Sequence, residues 1–277
     1  MDTSGTLALP AAANGHAMGH LVDLVRHHAD LDLRMYRQTL VGQRLEGRIA
    51  STRTDSLETY VSLLREQPRE IGRLARAVRK SAISAVPNDG CLAQLALALE
   101  PVVASRRSSH ANLRISIPAC TTGEETYLLA MLLAAAMTRH SCNPRSARII
   151  ASDPDEASLR IARRGVFYAP DTLAGTPADL RATGPRLEGR SARVACWLRN
   201  MIRFRSHDVT RDPPLRNVDL IVCRNVLAGL QPRLRRRVLA DLRDALRPGA
   251  CVPGSRRYRW RSMSLPRNFA AVTSSTA

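Results

Sequence analysis

At 277 residues the chain can hold one large domain or two smaller ones, and its 44% hydrophobic content excludes a disordered chain. Aromatic residues make up only 4%, so the core must rest on Leu, Val, Ile and Ala, and no apolar run approaches the roughly 20 residues that span a bilayer. The net charge of +18 is carried almost wholly by arginine, with Lys80 the single lysine, and it predicts attraction to something acidic.

Residues 1–19 read as a loose, disordered tail, because they lack the basic start and long apolar stretch of a signal peptide. The expected location is cytoplasmic, without membrane insertion. Six cysteines (Cys91, Cys120, Cys142, Cys196, Cys223 and Cys251) are scattered with no CxxC pair. They suggest neither a metal site nor a disulfide scaffold, and most are expected to be buried in a reducing compartment.

Residues 20–80 predict a small helical domain. Leu21, Leu24, Val25 and His28 recur at helical spacing, and Asp55-Ser56-Leu57-Glu58 supplies a cap ahead of Tyr60, Leu63 and Leu64. Pro68 opens another helix, whose apolar face is Ile71, Leu74, Ala75 and Val78. Residues 81–112 read as a turn at 87–90, a helix over 92–103 and the polar stretch 105–112, a candidate linker.

From Leu113 the pattern changes to alternating strand and helix. Strands are predicted at 113–117, 148–152 and 218–223, and helices at 126–137, 157–164 and 232–246. That alternation implies an α/β fold, a parallel, doubly wound sheet with ligands at the carboxyl ends of its strands. Residues 165–201 show little periodicity and read as an insertion or a reduced subdomain. The end, 251–277, is basic and Ser-rich, an atypical tail for which no structure is predicted.

Four pieces carry candidate chemistry. In the first, 116–125, Gly123 lets the backbone come close to a ligand, and the helix start offers N–H groups to the carboxylate of an amino-acid-like cofactor. Glu125, in the first helical turn, could meet that cofactor's ammonium. An ordinary capped turn is the competing reading. The second is Asp153, an acid at a strand end, placed to accept both hydroxyls of a ribose or simply to cap the next helix. The third is 204–209, with Asp208 and Val209 where an adenine edge would lie. The fourth is Cys223-Arg224-Asn225, at the end of the last predicted strand.

In this order the four pieces resemble the CheR family of protein-glutamate O-methyltransferases. Ser116-Ile117-Pro118-Ala119-Cys120-Thr121-Thr122-Gly123-Glu124-Glu125 resembles the family's SAGCSTGEE loop. Ser152-Asp153-Pro154-Asp155 resembles its TDID, and Val218 to Val226 its FD.I.CRNV. The resemblance covers about residues 20–250. It implies an N-terminal all-α receptor-recognition domain (20–80), then a Rossmann-like S-adenosylmethionine-dependent methyltransferase domain over 113–250. It also implies S-adenosyl-L-methionine as cofactor, held by Gly123, Glu125, Asp153, Asp208, Val209, Cys223 and Arg224.

The implied reaction is methyl transfer to glutamate carboxylates of chemoreceptors, in chemotaxis adaptation, without a metal. The implied partners are acidic cytoplasmic helices of those receptors. Arg37, Arg44 and Arg48, on one helix face, could dock such a bundle, and a solvated face is the competing reading. Nucleic acid ranks last as a partner, because neither aromatic interleaving nor a helix-turn-helix or zinc-finger signature is present. Two departures stand out. Residues 84–89 replace the family's VT.FFRD, with Asn88 at the position of its arginine, and Gly229 stands where CRNV.IYF has its tyrosine. A second expectation is therefore an impaired module that binds cofactor or receptor without transfer.

Overall fold

The computed structural model describes residues 14–79, 89–104, 112–168, 185–188, 191–224, 226–247 and 269–273. They fall into two compact units. One takes residues up to 81 together with Gly229–Pro232, and the other holds the rest.

The first unit is helical, with α1 (Asn14–Ala29), a 3-10 turn (Leu33–Met35), α2 (Gln38–Thr52), α3 (Leu57–Glu66) and α4 (Pro68–Arg79). Helix α1 starts inside the stretch expected to be a loose tail, because Ala17 is buried and anchors that first turn to the core. The expected cap before α3 forms as a reciprocal pair: Ser56 Oγ accepts from Thr59 N, and Thr59 Oγ1 accepts from Ser56 N. Leu21, Val25, Tyr60, Leu64, Leu74 and Val78 meet in the core at the positions that helical periodicity selects.

One acid lies within this apolar core. Glu70 is 2% exposed, and its carboxylate accepts from Arg48 Nε at 2.7 Å, Arg48 Nη2 at 2.9 Å and Tyr60 Oη at 3.1 Å. Pairing of both oxygens makes that burial tolerable. The returning segment Gly229–Pro232 joins the same unit through Arg37 N donating to Gly229 O and Gln231 N donating to Met35 O.

The second unit is α/β. After α5 (Asp89–Ala104) come β1 (Arg114–Pro118), α6 (Glu124–Arg139), β2 (Arg148–Asp153) and α7 (Glu156–Arg164). The turn expected at 87–90 is partly overridden, since Asp89 and Gly90 already belong to α5. Then follow β3 (Val166–Tyr168), β4 (Pro185–Glu188), β5 (Ser191–Val194), α8 (Cys196–Met201) and β6 (Ile202–Ser206). The chain continues through β7 (Leu220–Arg224), α9 (Val226–Gly229), α10 (Pro232–Asp244) and β8 (Phe269–Thr273).

The main sheet has the order β6-β2-β1-β7-β8, parallel except for β8, which runs antiparallel to β7. Ile115, Ile117, Ile149 and Ala151 line one buried face, against the almost wholly buried α6. Burial on all sides explains why α6 reads as a continuous apolar run.

Within 165–201, the described stretches 165–168, 185–188 and 191–201 hold more regular structure than their composition suggests. They include a separate three-stranded antiparallel sheet, β3-β5-β4. Strands of three or four residues leave too short an alternation to read, and their pairing is decided by distant partners. The tail likewise contributes β8, paired along the whole of β7. Residues 248–268 lie outside the described set.

Candidate functional site

The parallel register gathers the four sequence pieces at one edge. Pro118 pairs with Ser152 and Asp153 with Ser206, so the ends of β1, β2 and β6 are level, and β7 ends beside β1. Such a carboxyl edge, where neighbouring crossovers diverge, is where open α/β sheets bind ligands.

The loop after β1 is held by backbone bonds. Cys120 N donates to Ser152 O, Thr121 N to Asp153 Oδ2 at 3.0 Å, and Gly123 N to Cys120 O. Three of its residues are left-handed: Ala119 at φ 57°, Thr121 at φ 49° and Gly123 at φ 88°. This costs nothing for glycine and about 1 kcal/mol or more for each of the others. Ala119 occupies the position of a glycine in the SAGCSTGEE pattern. Ala119→Gly is therefore expected to raise stability by up to about 1 kcal/mol, less the entropy a glycine adds to the unfolded chain. A urea titration of the whole chain reads this; a loss of stability would show that Ala119 carries no strain.

Gly123 is needed for a different reason from the one its sequence context suggests. A Cβ there would lie 2.9 Å from Ala162 Cβ and 3.2 Å from Phe204 Cζ. The glycine lets α6 approach α7 and β6, and that space is filled by protein.

Asp153 is 5% exposed, and its Oδ1 accepts from Asp155 N at 2.9 Å while Oδ2 accepts from Thr121 N. A carboxylate offers about four acceptor sites, so one that braces the loop is also of the type that receives ribose hydroxyls. Glu125 and Cys223 are near one another: burial pushes the Cys223 thiol up to about 12, and the Glu125 charge adds to the rise. Burial also pushes the Cys120 thiol up, with the charge of Asp153 as the next cause. Tyr127 Oη, whose own titration burial pushes up to about 12, donates to Ala162 O at 2.7 Å and ties α6 to α7.

Asp208 Oδ1 accepts from Thr210 N and Thr210 Oγ1, which folds the loop after β6 into a tight turn. His207 N donates to Asp153 O, holding that loop against the end of β2. Val209 is half-buried and borders a space of only about 10 Å³ with Ser116, His207 and Leu242. Arg224 takes its place in β7 by backbone pairing with Phe269. Asn225, Asn88 and the rest of residues 80–88 lie outside the described set. Cys120, which the sequence places in the 116–125 loop without giving it a role, lies within electrostatic reach of Asp153.

These groups fit S-adenosylmethionine. No side chain caps α6, so its first-turn N–H groups are available to a carboxylate. Glu124 and Glu125 add negative charge for an ammonium, and the buried Asp153 suits a ribose. Among the described residues no group of three or more His, Cys, Asp or Glu is placed to hold a metal ion. No helix there is long and apolar enough to cross a membrane.

The thiol environments give a measurable expectation. Neutral, buried Cys120 and Cys223 should resist a thiol reagent at pH 8, while exposed Cys196 reacts at once. Their raised values also set a sign. Ordinary thiols titrate near 8.5, so the unfolded chain loses protons first as pH rises. Stability should thus be full below about pH 8.5 and fall towards pH 12, alongside the raised Tyr127. Melting temperatures flat from pH 8 to 11 would contradict this.

Of the three arginines expected to dock a receptor, Arg37 is exposed and Arg44 half-buried. Arg48 is committed to Glu70.

Comparison with known sequences agrees with this geometry. Residues 17–78 match the all-alpha domain of CheR methyltransferases, and residues 88–253 match their SAM binding domain. A chemotaxis protein methyltransferase 2 of Pseudomonas aeruginosa is 31% identical over 217 residues, covering 76% of this chain and 74% of that protein. A chemotaxis protein methyltransferase of Listeria monocytogenes is 27% identical over 231 residues, 83% of this chain and 84% of the other. An uncharacterized 104.1 kDa protein of Rhodobacter capsulatus is 28% identical over 234 residues, but this chain spans only 24% of its length. With its helical unit and its α/β unit each matched in the same order, the chain belongs to the CheR methyltransferase family.

Proposed function

We propose that this protein transfers the methyl group of S-adenosylmethionine to glutamate carboxylates on acidic helices of chemotaxis receptors. The observation that supports the reading most is the convergence of the Gly123 loop, Asp153, the Asp208 turn and Cys223 at one edge of a parallel sheet. Relatives named chemotaxis protein methyltransferase supply the substrate side of the proposal.

When bound, the cofactor supplies an electrophilic methyl on a sulfonium. The chain's own task is to bind and orient. The α6 amino end would hold the carboxylate, Glu125 the ammonium, Asp153 the ribose, and the loop at Asp208 and Val209 the adenine. A glutamate nucleophile is already ionised at neutral pH, so the work is positioning and exclusion of water rather than proton abstraction. The exposed Arg37, at the start of α2, and the half-buried Arg44 would attract the acidic receptor surface, with Arg48 contributing through its remaining exposed area.

The test is transfer of labelled methyl from S-adenosylmethionine to a receptor cytoplasmic fragment, read as base-labile carboxyl ester. Ester formation supports the reading. Binding of S-adenosylhomocysteine with no ester on any receptor fragment would instead favour a binding module without transfer. Gly229 motivates that second reading, since a glycine offers no hydroxyl where the family's pattern carries tyrosine. Its carbonyl is bonded to Arg37 N.

A further inference from the structure

We propose that the outer edge of β6, which no strand covers among the described residues, is a docking strand for an extended acidic peptide, held by a groove of arginines. The groove has a volume of about 880 Å³ and follows β6, bordered by Arg114, Arg148, Arg163, Arg199, Arg203 and Arg205. At Phe204 and Arg205 it reaches the strand end that borders the cofactor site, while Arg114, Arg148, Arg199 and Arg203 extend it along β6, and the proposal does not depend on methyl transfer.

Three observations carry it. First, β6 is the terminal strand of the main sheet, pairing with β2 on one side and, among the described residues, with no strand on the other. Such an edge presents unpaired backbone donors and acceptors to a partner strand. At Phe204 the carbonyl receives a long bond of 3.4 Å from Arg163 Nη2, which a peptide N–H could displace.

Second, the charges alternate with the strand. Arg203 and Arg205 are exposed while Ile202 and Phe204 turn inward, so two guanidinium groups project from one face two residues apart. A partner strand has the same repeat, and acids at every second position would meet both.

Third, the cluster is poor in acidic partners: Arg148 and Arg199 donate only to backbone carbonyls among the described residues. Arg114 and Arg148 are directly opposed across β1 and β2, a destabilising like-charge pair. The ion pair of Arg163 with Glu156 is the only one made by these six arginines among the described residues. An anionic partner would relieve that repulsion.

An acidic peptide suits the groove better than a nucleic acid. The rings at hand, Tyr127 and Phe204, pack on each other inside, 5.7 Å apart, and provide no exposed stacking platform for bases. The linear spacing of the arginines along a strand edge also favours backbone pairing over phosphate tracking.

The experiment measures binding of fluorescent peptides to the whole chain by anisotropy. The probe is a peptide of about seven residues with glutamate at every second position and threonine between. Two controls have the same composition: one with its glutamates in a single block, the other with alternate backbone nitrogens methylated. Arg203→Glu/Arg205→Glu should weaken the probe by on the order of 100-fold, with circular dichroism showing an unchanged fold. Reversing Arg235 and Arg236, exposed on α10, changes the net charge equally and should alter binding less than about twofold.

The N-methylated and block peptides should each bind at least about tenfold more weakly than the probe. Equal binding of all three peptides, or equal loss in both double variants, would reduce the effect to bulk charge and overturn the proposal. Displacement of the probe by a thymidine oligonucleotide at lower concentration than by unlabelled peptide would overturn it in favour of nucleic acid.

Discussion

Replacing Glu70 by alanine is expected to destabilise the helical unit by about 3 kcal/mol, and by up to about 5 if Arg48 finds no water. The acid is almost wholly buried and holds both Arg48 donors and the Tyr60 hydroxyl. Removing it strands a guanidinium that is only about a quarter exposed, and leaves a buried hydroxyl without its acceptor. Arg73, more than half exposed, adds little, because water screens it.

The effect belongs to α3 and α4, so hydrogen exchange of their amides is the suitable measurement: protection should drop about 100-fold or more. Glu70→Gln keeps the shape and one good acceptor and should lose less. The double variant Glu70→Ala/Arg48→Met, which removes both charges, should recover part of the loss. A drop of less than fivefold in Glu70→Ala would show that the network behaves like a surface pair.

Asp153→Ala is expected to weaken S-adenosylhomocysteine by about 100- to 1000-fold, measured calorimetrically on the whole chain. Two charge-assisted hydrogen bonds to ribose hydroxyls are worth about 1.5–3 kcal/mol each. The substitution also frees Thr121 N and Asp155 N, which Asp153 now receives, so the loop at 119–123 loses its brace. Thr121 is left-handed, and its N–H bond to Asp153 helps hold it there.

Asp153→Asn separates the two roles. It can retain one backbone bond but not the charge, so an intermediate loss is expected. Affinity unchanged in both variants would remove Asp153 from the cofactor site. The Proposed receptor methylation would then need another ribose ligand, whereas the acidic-peptide groove on β6 would stand or fall on its own titration.

Much of the architecture was legible because it is local and periodic. The apolar spacing of Leu21 and Val25, or of Ile71, Leu74 and Val78, identifies helices whose buried face the structure then uses. The strands at Arg114–Pro118 and Arg148–Asp153 are short apolar runs bounded by turns, and their alternation with helices dictates a parallel sheet. Gly123, Asp153, Asp208 and Cys223 each lie at or just after a strand in chain order, and the register then brings the ends of those strands to one edge.

What only the tertiary structure decided depends on distant partners. The three-residue β3 and the four-residue β4 and β5 carry no period of their own and become a sheet by pairing with each other. Phe269–Thr273 becomes a strand because β7 offers it an edge. The space denied to a side chain at Gly123 is set by Ala162 and Phe204, 39 and 81 residues further on. Arg48 reads as a surface charge until Glu70 is seen beneath it. The sequence by itself determined the elements and the family of the site; burial, register and the partners of each charge were settled by packing, because those are properties of pairs that the chain brings together only when folded.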